Sequence, residues 1–279
     1  MSAPLLDVAG LSVVFPTPLG PLAVVRDFAL GMGREKIGIV GESGSGKSMT
    51  ARALMGLVRP PGRVEARRLR FAGIDLGALD ARGWRALRGR RMGMILQDPK
   101  FSLNPVMRIG RQIEEPLLLH GTTSRAERRE RALGVLEAVG IDDPRRVYDA
   151  FPHELSGGMG QRAMIAIMLV ASPDLLIADE PTSALDVILR EQVLRLIEDL
   201  QASRGLGLIL ISHDLPMVAR FCDRILVMYR GRVVETLDAR HLNDAQHPYT
   251  RGLIACLPGP AKRGRSLPVL SRDPAWERA

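Results

Sequence analysis

Cysteine is nearly absent from this 279-residue chain: only Cys222 and Cys256 occur, and not in metal-ligand spacing. That excludes a disulfide framework and a cysteine-built zinc site, and it suits a reducing compartment. Long apolar runs are missing as well. The longest, Ala163 to Ala171, falls far short of the roughly 20 residues that span a bilayer. Aromatics are scarce. The three tyrosines and six phenylalanines do not interleave with the arginine clusters (Arg63, Arg67, Arg68 and Arg70; Arg88, Arg90 and Arg91; Arg125, Arg128, Arg129 and Arg131), so no base-stacking platform is visible. The stretch Met1 to Asp7 has no basic segment leading into an apolar one, which predicts no signal peptide and a cytosolic protein.

What is present is an ordinary globular composition. Hydrophobic residues at 46% and charged residues at 25% argue against disorder, and the length allows one large domain or two modest ones. The net charge of +8 fits nucleic acid and the anionic cytoplasmic face of a membrane equally well. Charge runs of this kind are commonly no more than a solvated face.

The most informative stretch is Gly41-Glu42-Ser43-Gly44-Ser45-Gly46-Lys47-Ser48. It follows an apolar run, Lys36 to Val40, that reads as a buried strand. It opens into Met49 to Val58, where Ala51, Leu54, Met55 and Val58 share one face of a helix. A G-x-x-x-x-G-K-[ST] match carries weight in this strand–turn–helix context. Glycines let successive N–H groups converge on one anion, and the helix start adds partial positive charge. In such a site Lys47 reaches the β- and γ-phosphates and the Ser48 hydroxyl ligates Mg²⁺.

Along the chain, Leu11–Phe15 and Leu22–Val25 read as strands about a Pro/Gly turn, and Arg63–Asp75 and Met92–Gln97 as two more. Phe15 is either a ring that lies flat on a purine or a strand aromatic of the core. From about Pro99 to Pro173 strand signals give way to helices near 109–119, 124–139 and 156–171, with Ser124 and Glu127 in capping-box spacing. This block reads as a helical subdomain inserted in an α/β core. Beyond it come a parallel-type strand at Leu175–Ala178 and a helix at about Val187–Ala202. The helix carries Leu189, Val193, Leu196, Ile197 and Leu200 on one face and an i,i+4 pair, Glu191 with Arg195. A strand at Leu206–Ser212 and a strand pair turning at Arg230-Gly231 follow. The tail from Pro258 reads as loosely ordered.

Two further constellations carry chemistry. The run Leu175 to Ala178 closes on Asp179 and Glu180. Beside a phosphate loop an acid in that position holds Mg²⁺, and the next one orients or deprotonates a water. Leu155-Ser156-Gly157-Gly158-Met159-Gly160-Gln161-Arg162 offers Ser156 as an N-cap and two glycines at an open helix start. A second phosphate-binding device on one chain makes sense if it serves a nucleotide held by another copy or a partner.

Taken in order, these motifs resemble an ABC-transporter ATPase subunit over roughly residues 5 to 255. Gly41 to Ser48 is similar to Walker A, with Gly41, Ser43, Gly44, Gly46, Lys47, Ser48 and Met49 on the nucleotide. Gln97 stands at the Q-loop, Leu155 to Gly158 at the signature, and Leu175 to Glu180 at Walker B. Ser183 to Asp186 resembles the D-loop, His213 the switch histidine, and Phe15 the A-loop aromatic. The resemblance implies a P-loop NTPase with a RecA-like core, an antiparallel β subdomain and an inserted helical subdomain. The ATPase domain covers 1–255, and 256–279 form a short C-terminal extension. It implies ATP and Mg²⁺ as cofactors, with Glu180, His213 and Gln97 catalytic. Ser48, Gln97 and Asp179 lie at the metal, and Ser156, Gly157, Gly158 and Asp186 act on a shared nucleotide.

Gln97-Asp98-Pro99, Ser102-Leu103-Asn104-Pro105 and His247-Pro248-Tyr249-Thr250-Arg251 resemble the oligopeptide, dipeptide and nickel branch of importers, and Ser43 to Thr50 its "D" type subunit. That implies a second, normally non-identical ATPase subunit, two transmembrane permease subunits and an extracytoplasmic solute-binding protein. The place implied is the cytoplasmic face of the membrane, with no nucleic acid partner. Two departures stand out. Gly160 occupies a position where the family commonly has arginine. No cysteine follows Cys256, whereas some peptide-importing relatives carry an iron–sulfur cluster there, so nickel or another metal complex stays open as the solute. The competing readings are a soluble ABC-type ATPase acting on nucleic acid or ribosomes, which usually has two cassettes per chain, and a regulatory module that binds ATP without hydrolysis, which Glu180 and His213 argue against.

Overall fold

A computed structural model of the chain describes residues 4–95, 103–121, 124–181, 187–257 and 276. Two compact units emerge, one formed by Met1–Gly77 with Ile209–Ala279 and the other by Ala78–Leu208.

The first unit begins with a long antiparallel hairpin, β1 (Leu6–Thr17) and β2 (Gly20–Met32), in register from Leu6 opposite Met32 to Thr17 opposite Gly20. Leu6, Leu11, Val13, Val25 and Phe28 bury one face of it completely. Both strands are far longer than the alternation in the sequence predicts. Register shifts after Val8, Leu11 and Val13 break the two-residue period that marks a strand. The segment Arg63–Asp75, expected as one strand, is three: β4 (Arg63–Glu65), β5 (Arg68–Phe71) and β6 (Ile74–Asp75). Ala72 and Gly73, both at positive φ, turn β5 back onto β6. The sheet order is β2-β1-β5-β6, with β4 also on β1.

The same unit holds β3 (Lys36–Val40), with β10 (Arg224–Tyr229) parallel to it and β11 (Arg232–Asp238) antiparallel to β10. Arg230 at φ 45° and Gly231 at φ 84° make the two-residue turn between β10 and β11. On the other side of β3 lies β9 (Gly207–Ile211), whose last three residues belong to this unit. These are buried apolar runs, as expected of parallel strands covered on both faces. Helix α8 (Leu215–Phe221) lies against β3 at Gly38, where a Cβ would come within 2.1 Å of Val218 Cγ1. Cys222, next to α8, is buried, and burial pushes its thiol up to about 12. It therefore stays protonated at neutral pH and is a packing residue. Two more helices belong here, α1 (Lys47–Leu54) and α9 (Pro248–Ala255). The face predicted for α1 is buried at Ala51, Leu54 and Met55. The helix nonetheless stops before Val58, because Gly56 turns left-handed at φ 60° and Leu57 N donates to Arg52 O across 2.8 Å.

The second unit contains β7 (Met92–Ile95) parallel to β8 (Leu175–Asp179), in register Met92 opposite Leu175. Arg91 fixes the start of both: its side chain pairs with Asp174 at 2.7 Å, and its carbonyl accepts from Asp174 N and Leu175 N. The helices are α2 (Ala81–Leu87), α3 (Ile109–His120), α4 (Arg125–Ala138), α5 (Pro144–Asp149), α6 (Gly157–Leu169) and α7 (Val187–Arg204). Ser124 caps α4 by accepting from Glu127 N. Glu127 turns away to pair with Arg131 at 2.7 Å, so only half of the expected capping box forms. Val193 and Ile197 of α7 are fully buried and Leu196 and Leu200 half-buried. The Glu191–Arg195 pair stands at 3.7 Å, while the Leu189 side chain lies outside the described residues. Tyr148 of α5 donates to Glu114 of α3, and its ring lies where any side chain at Gly110 would sit. Burial first, then the bond to Glu114, pushes this phenol up to about 12. Among the described residues no helix is long and apolar enough to cross a membrane.

Candidate nucleotide-phosphate site

The loop between β3 and α1 is shaped by its glycines. A Cβ on Gly41 would lie 2.2 Å from Met228 O. One on Gly46, at φ 103°, would lie 2.7 Å from Val24 O. Close backbone approach on two sides thus demands glycine at both positions. Gly46 is the N-cap of α1, and no side chain occupies the cap. A helix start without a side-chain cap is the kind of terminus that takes an anion.

Lys47 is buried, and its Nζ folds back over the loop to Gly41 O at 2.8 Å, Glu42 O at 2.8 Å and Ser45 Oγ at 3.4 Å. The ammonium is thus held over the loop by two backbone carbonyls and one hydroxyl. Ser48 and Met49 follow it in the first turn, half-buried, while Ser43 and Gly44 are exposed at the tip. The loop is tied from outside in two places. Gly231 N, in the turn after β10, donates to Ser45 O at 2.9 Å, and Glu42 N donates to the Tyr249 phenol oxygen at 2.9 Å.

His213 comes two residues after the end of β9 and is exposed. Its neighbours are pinned: Ser212 N donates to Ile39 O of β3, and Asp214 caps α8 by accepting from Met217 N at 3.0 Å. The first unit therefore brings His213 and the phosphate loop to the ends of two neighbouring strands. Phe15, near the end of β1, is half-buried. Its ring edge fills the space beside Gly62, where a Cβ would lie 2.6 Å from it.

In the second unit Asp179 ends β8 and is 4% exposed. Glu180 follows at φ 50°, a left-handed conformation that a non-glycine residue holds only when its surroundings impose it. One such constraint is visible. The fully buried Gln161 of α6 donates from Nε2 to Pro181 O, directly after Glu180. Sequence reasoning gave Gln161 no role; its signal was an amide on the apolar face of α6. Ser156 caps α6, its Oγ accepting from Met159 N at 3.3 Å, with Ser156 and Gly157 exposed and nothing near the position of a Gly157 Cβ. A cleft of about 330 Å³ lies beside this helix start, lined by Leu103, Pro105, Pro152, Leu155 and Gly160 among others. A Cβ on Gly160 would meet only Leu103 Cδ1, at 3.8 Å, so this glycine leaves the cleft open. Gln97, Asp98, Pro99, Phe101, Ser102 and the stretch Ser183 to Asp186 lie outside the described residues, as does nearly all of the tail from Pro258.

Similarity to known proteins agrees with this arrangement. Residues 27–183 match the sequence family described as "ABC transporter". The chain is 46% identical over 256 residues to the dipeptide transport ATP-binding protein DppD of Escherichia coli K12, covering 91% of this chain and 78% of that one. It is likewise 46% identical over 258 residues to the oligopeptide transport ATP-binding protein OppD of Bacillus subtilis 168, covering 91% and 72%. Among solved structures, it superposes with a TM-score of 0.77 and 28% identity on the ATP-binding cassette MJ0796, a dimer in a post-hydrolysis state with ADP and Pi. That match covers 84% of this chain and 99% of the other. The chain belongs to the ABC transporter family and has the fold of its ATPase cassettes.

Proposed function

We propose that this chain is the ATP-binding and ATP-hydrolysing subunit that energises an importer of dipeptides or oligopeptides. The observation that carries the reading is the uncapped start of α1 under a glycine-shaped loop, with the buried Lys47 poised over it. Two curated relatives at 46% identity carry dipeptide and oligopeptide transport in their names, which supports a peptide as the solute over a nickel complex.

In this reading the backbone of Gly41, Ser43, Gly44, Gly46, Lys47, Ser48 and Met49 and the Lys47 ammonium bind the nucleotide phosphates, and Phe15 faces the base. Ser48, Gln97 and Asp179 offer the oxygen donors that Mg²⁺ prefers, and the ion would neutralise phosphate charge. Glu180 accepts a proton from, or orients, the attacking water, and His213 contacts the γ-phosphate. Ser156, Gly157, Gly158 and Asp186 serve the nucleotide held by the opposing ATPase subunit. The partners are a second, non-identical ATPase subunit, two transmembrane permease subunits and, through them, an extracytoplasmic binding protein, with the chain at the cytoplasmic face of the membrane. Residues 1–255 act as one ATPase domain in which the helical block of about 99–173 is an inserted subdomain.

The cleft beside Ser156, with Leu103 and Pro105 on its wall and Val106 81% exposed nearby, suits a short apolar element of the permease. Single cysteines placed at Asn104 and Val106 are expected to crosslink to a cytoplasmic loop of the permease in membranes holding the assembled transporter. Crosslinks confined to the tail beyond Pro258 would remove this face from the coupling role.

A further inference from the structure

We infer that Tyr249, in the C-terminal helix α9, is a positioning residue for the phosphate loop, holding the Gly41–Glu42 peptide in its nucleotide-ready orientation. The inference rests on the reading of Gly41 to Ser48 as the ATP phosphate loop. The peptide joining Gly41 to Glu42 is the hub of that loop: its carbonyl, Gly41 O, accepts from Lys47 Nζ at 2.8 Å. The N–H of the same peptide, on Glu42, donates to the Tyr249 phenol oxygen at 2.9 Å, from a residue 207 positions away. The peptide is planar, so fixing that N–H fixes the direction in which Gly41 O points, and with it one of the acceptors that hold Lys47.

Tyr249 is built to hold still. It is completely buried, its ring packs on Tyr229 at 4.5 Å between centroids, and Trp276 lies against both rings at 5.9 Å. The start of α9 is anchored in turn. His247 accepts from Tyr249 N, and Glu235 of β11 accepts from Gln246 N and His247 N. Neighbouring buried hydroxyls show that polar groups here are not all engaged: Thr250 Oγ1 and Tyr229 OH have no hydrogen-bond partner among the described residues. A phenol packed against two other rings costs little ordering entropy at the moment of binding, which is how preorganisation raises affinity.

The test compares ATP affinity, by titration of the full-length chain, for the wild type, Tyr249→Phe, Thr250→Val and Lys47→Ala, with thermal unfolding of each. Tyr249→Phe keeps the ring and deletes the acceptor. It is expected to weaken ATP binding about 3- to 10-fold, the loss typical of one hydrogen bond, with the unfolding midpoint close to wild type. Thr250→Val deletes a hydroxyl with no partner in the same helix and should leave affinity unchanged. Wild-type affinity in Tyr249→Phe, or an equal loss in Thr250→Val, overturns the inference while Lys47→Ala still loses ATP. Retention of ATP by Lys47→Ala overturns the phosphate-loop reading itself. Should Tyr249→Phe fail to fold, amide exchange in the wild type decides. The Glu42 amide must exchange more slowly than that of Gly44 without nucleotide, and equal rates contradict the proposal.

Discussion

Replacing Glu180 by Gln is expected to lower steady-state ATP turnover about 10²–10⁴-fold while ATP affinity stays near that of the wild type. In the proposed function binding rests on the phosphate loop and Lys47, which belong to the first unit, whereas Glu180 follows the end of β8 in the second. Glutamine keeps the size and one oxygen of the carboxylate, so the left-handed backbone at φ 50° and the Gln161 contact to Pro181 are retained. What disappears is the negative charge that draws a proton from water. Affinity and phosphate release should be measured on one preparation assembled with its partner ATPase. Turnover near the wild-type rate would take the base away from Glu180.

The second large effect belongs to Ser156→Arg. Ser156 and Gly157 are exposed at the open start of α6, and among the described residues nothing lies near a Gly157 Cβ, so arginine has room there, at the loss of the cap bond from Met159 N. In a head-to-tail pair that surface closes on the nucleotide of the opposite subunit, where a bulky side chain excludes the γ-phosphate. The reconstituted pair should lose about 10²-fold or more at the site completed by the mutant helix, the scale of removing preorganised donors. ATP affinity of the mutant chain alone should be unchanged. Loss of its own ATP binding would mean that Ser156 serves its own loop and that the shared-site arrangement is wrong.

Much of this was legible because the signals are local. The phosphate loop, the strand before it, the Ser156 cap and the Arg230-Gly231 turn each declare themselves within ten residues. Short helices were missed where the period is too brief to show. Yet α2, α5 and α8 each start at an aspartate, Asp80, Asp143 or Asp214, that accepts from the N–H three residues on. The long hairpin was under-read because its bulges scramble the alternation. The Tyr249 bond to Glu42 and the Gln161 bond to Pro181 had no local signature of their partners; Gln161 showed only as an amide on the apolar face of α6. Each joins residues that only the folded chain brings together, and His247 to Arg251 could be noticed in sequence only as a marker of one importer branch.

The claim that this ATPase drives peptide import is tested most directly by ATP hydrolysis in proteoliposomes. These should hold the chain with its partner ATPase, the permease pair and the solute-binding protein. Phosphate release is expected to rise several-fold when a dipeptide or short oligopeptide is supplied with the binding protein, and to stay at the basal rate with a nickel complex or with nucleic acid. Hydrolysis that is indifferent to peptide yet stimulated by a nickel complex, or by nucleic acid without the permease, would contradict the account.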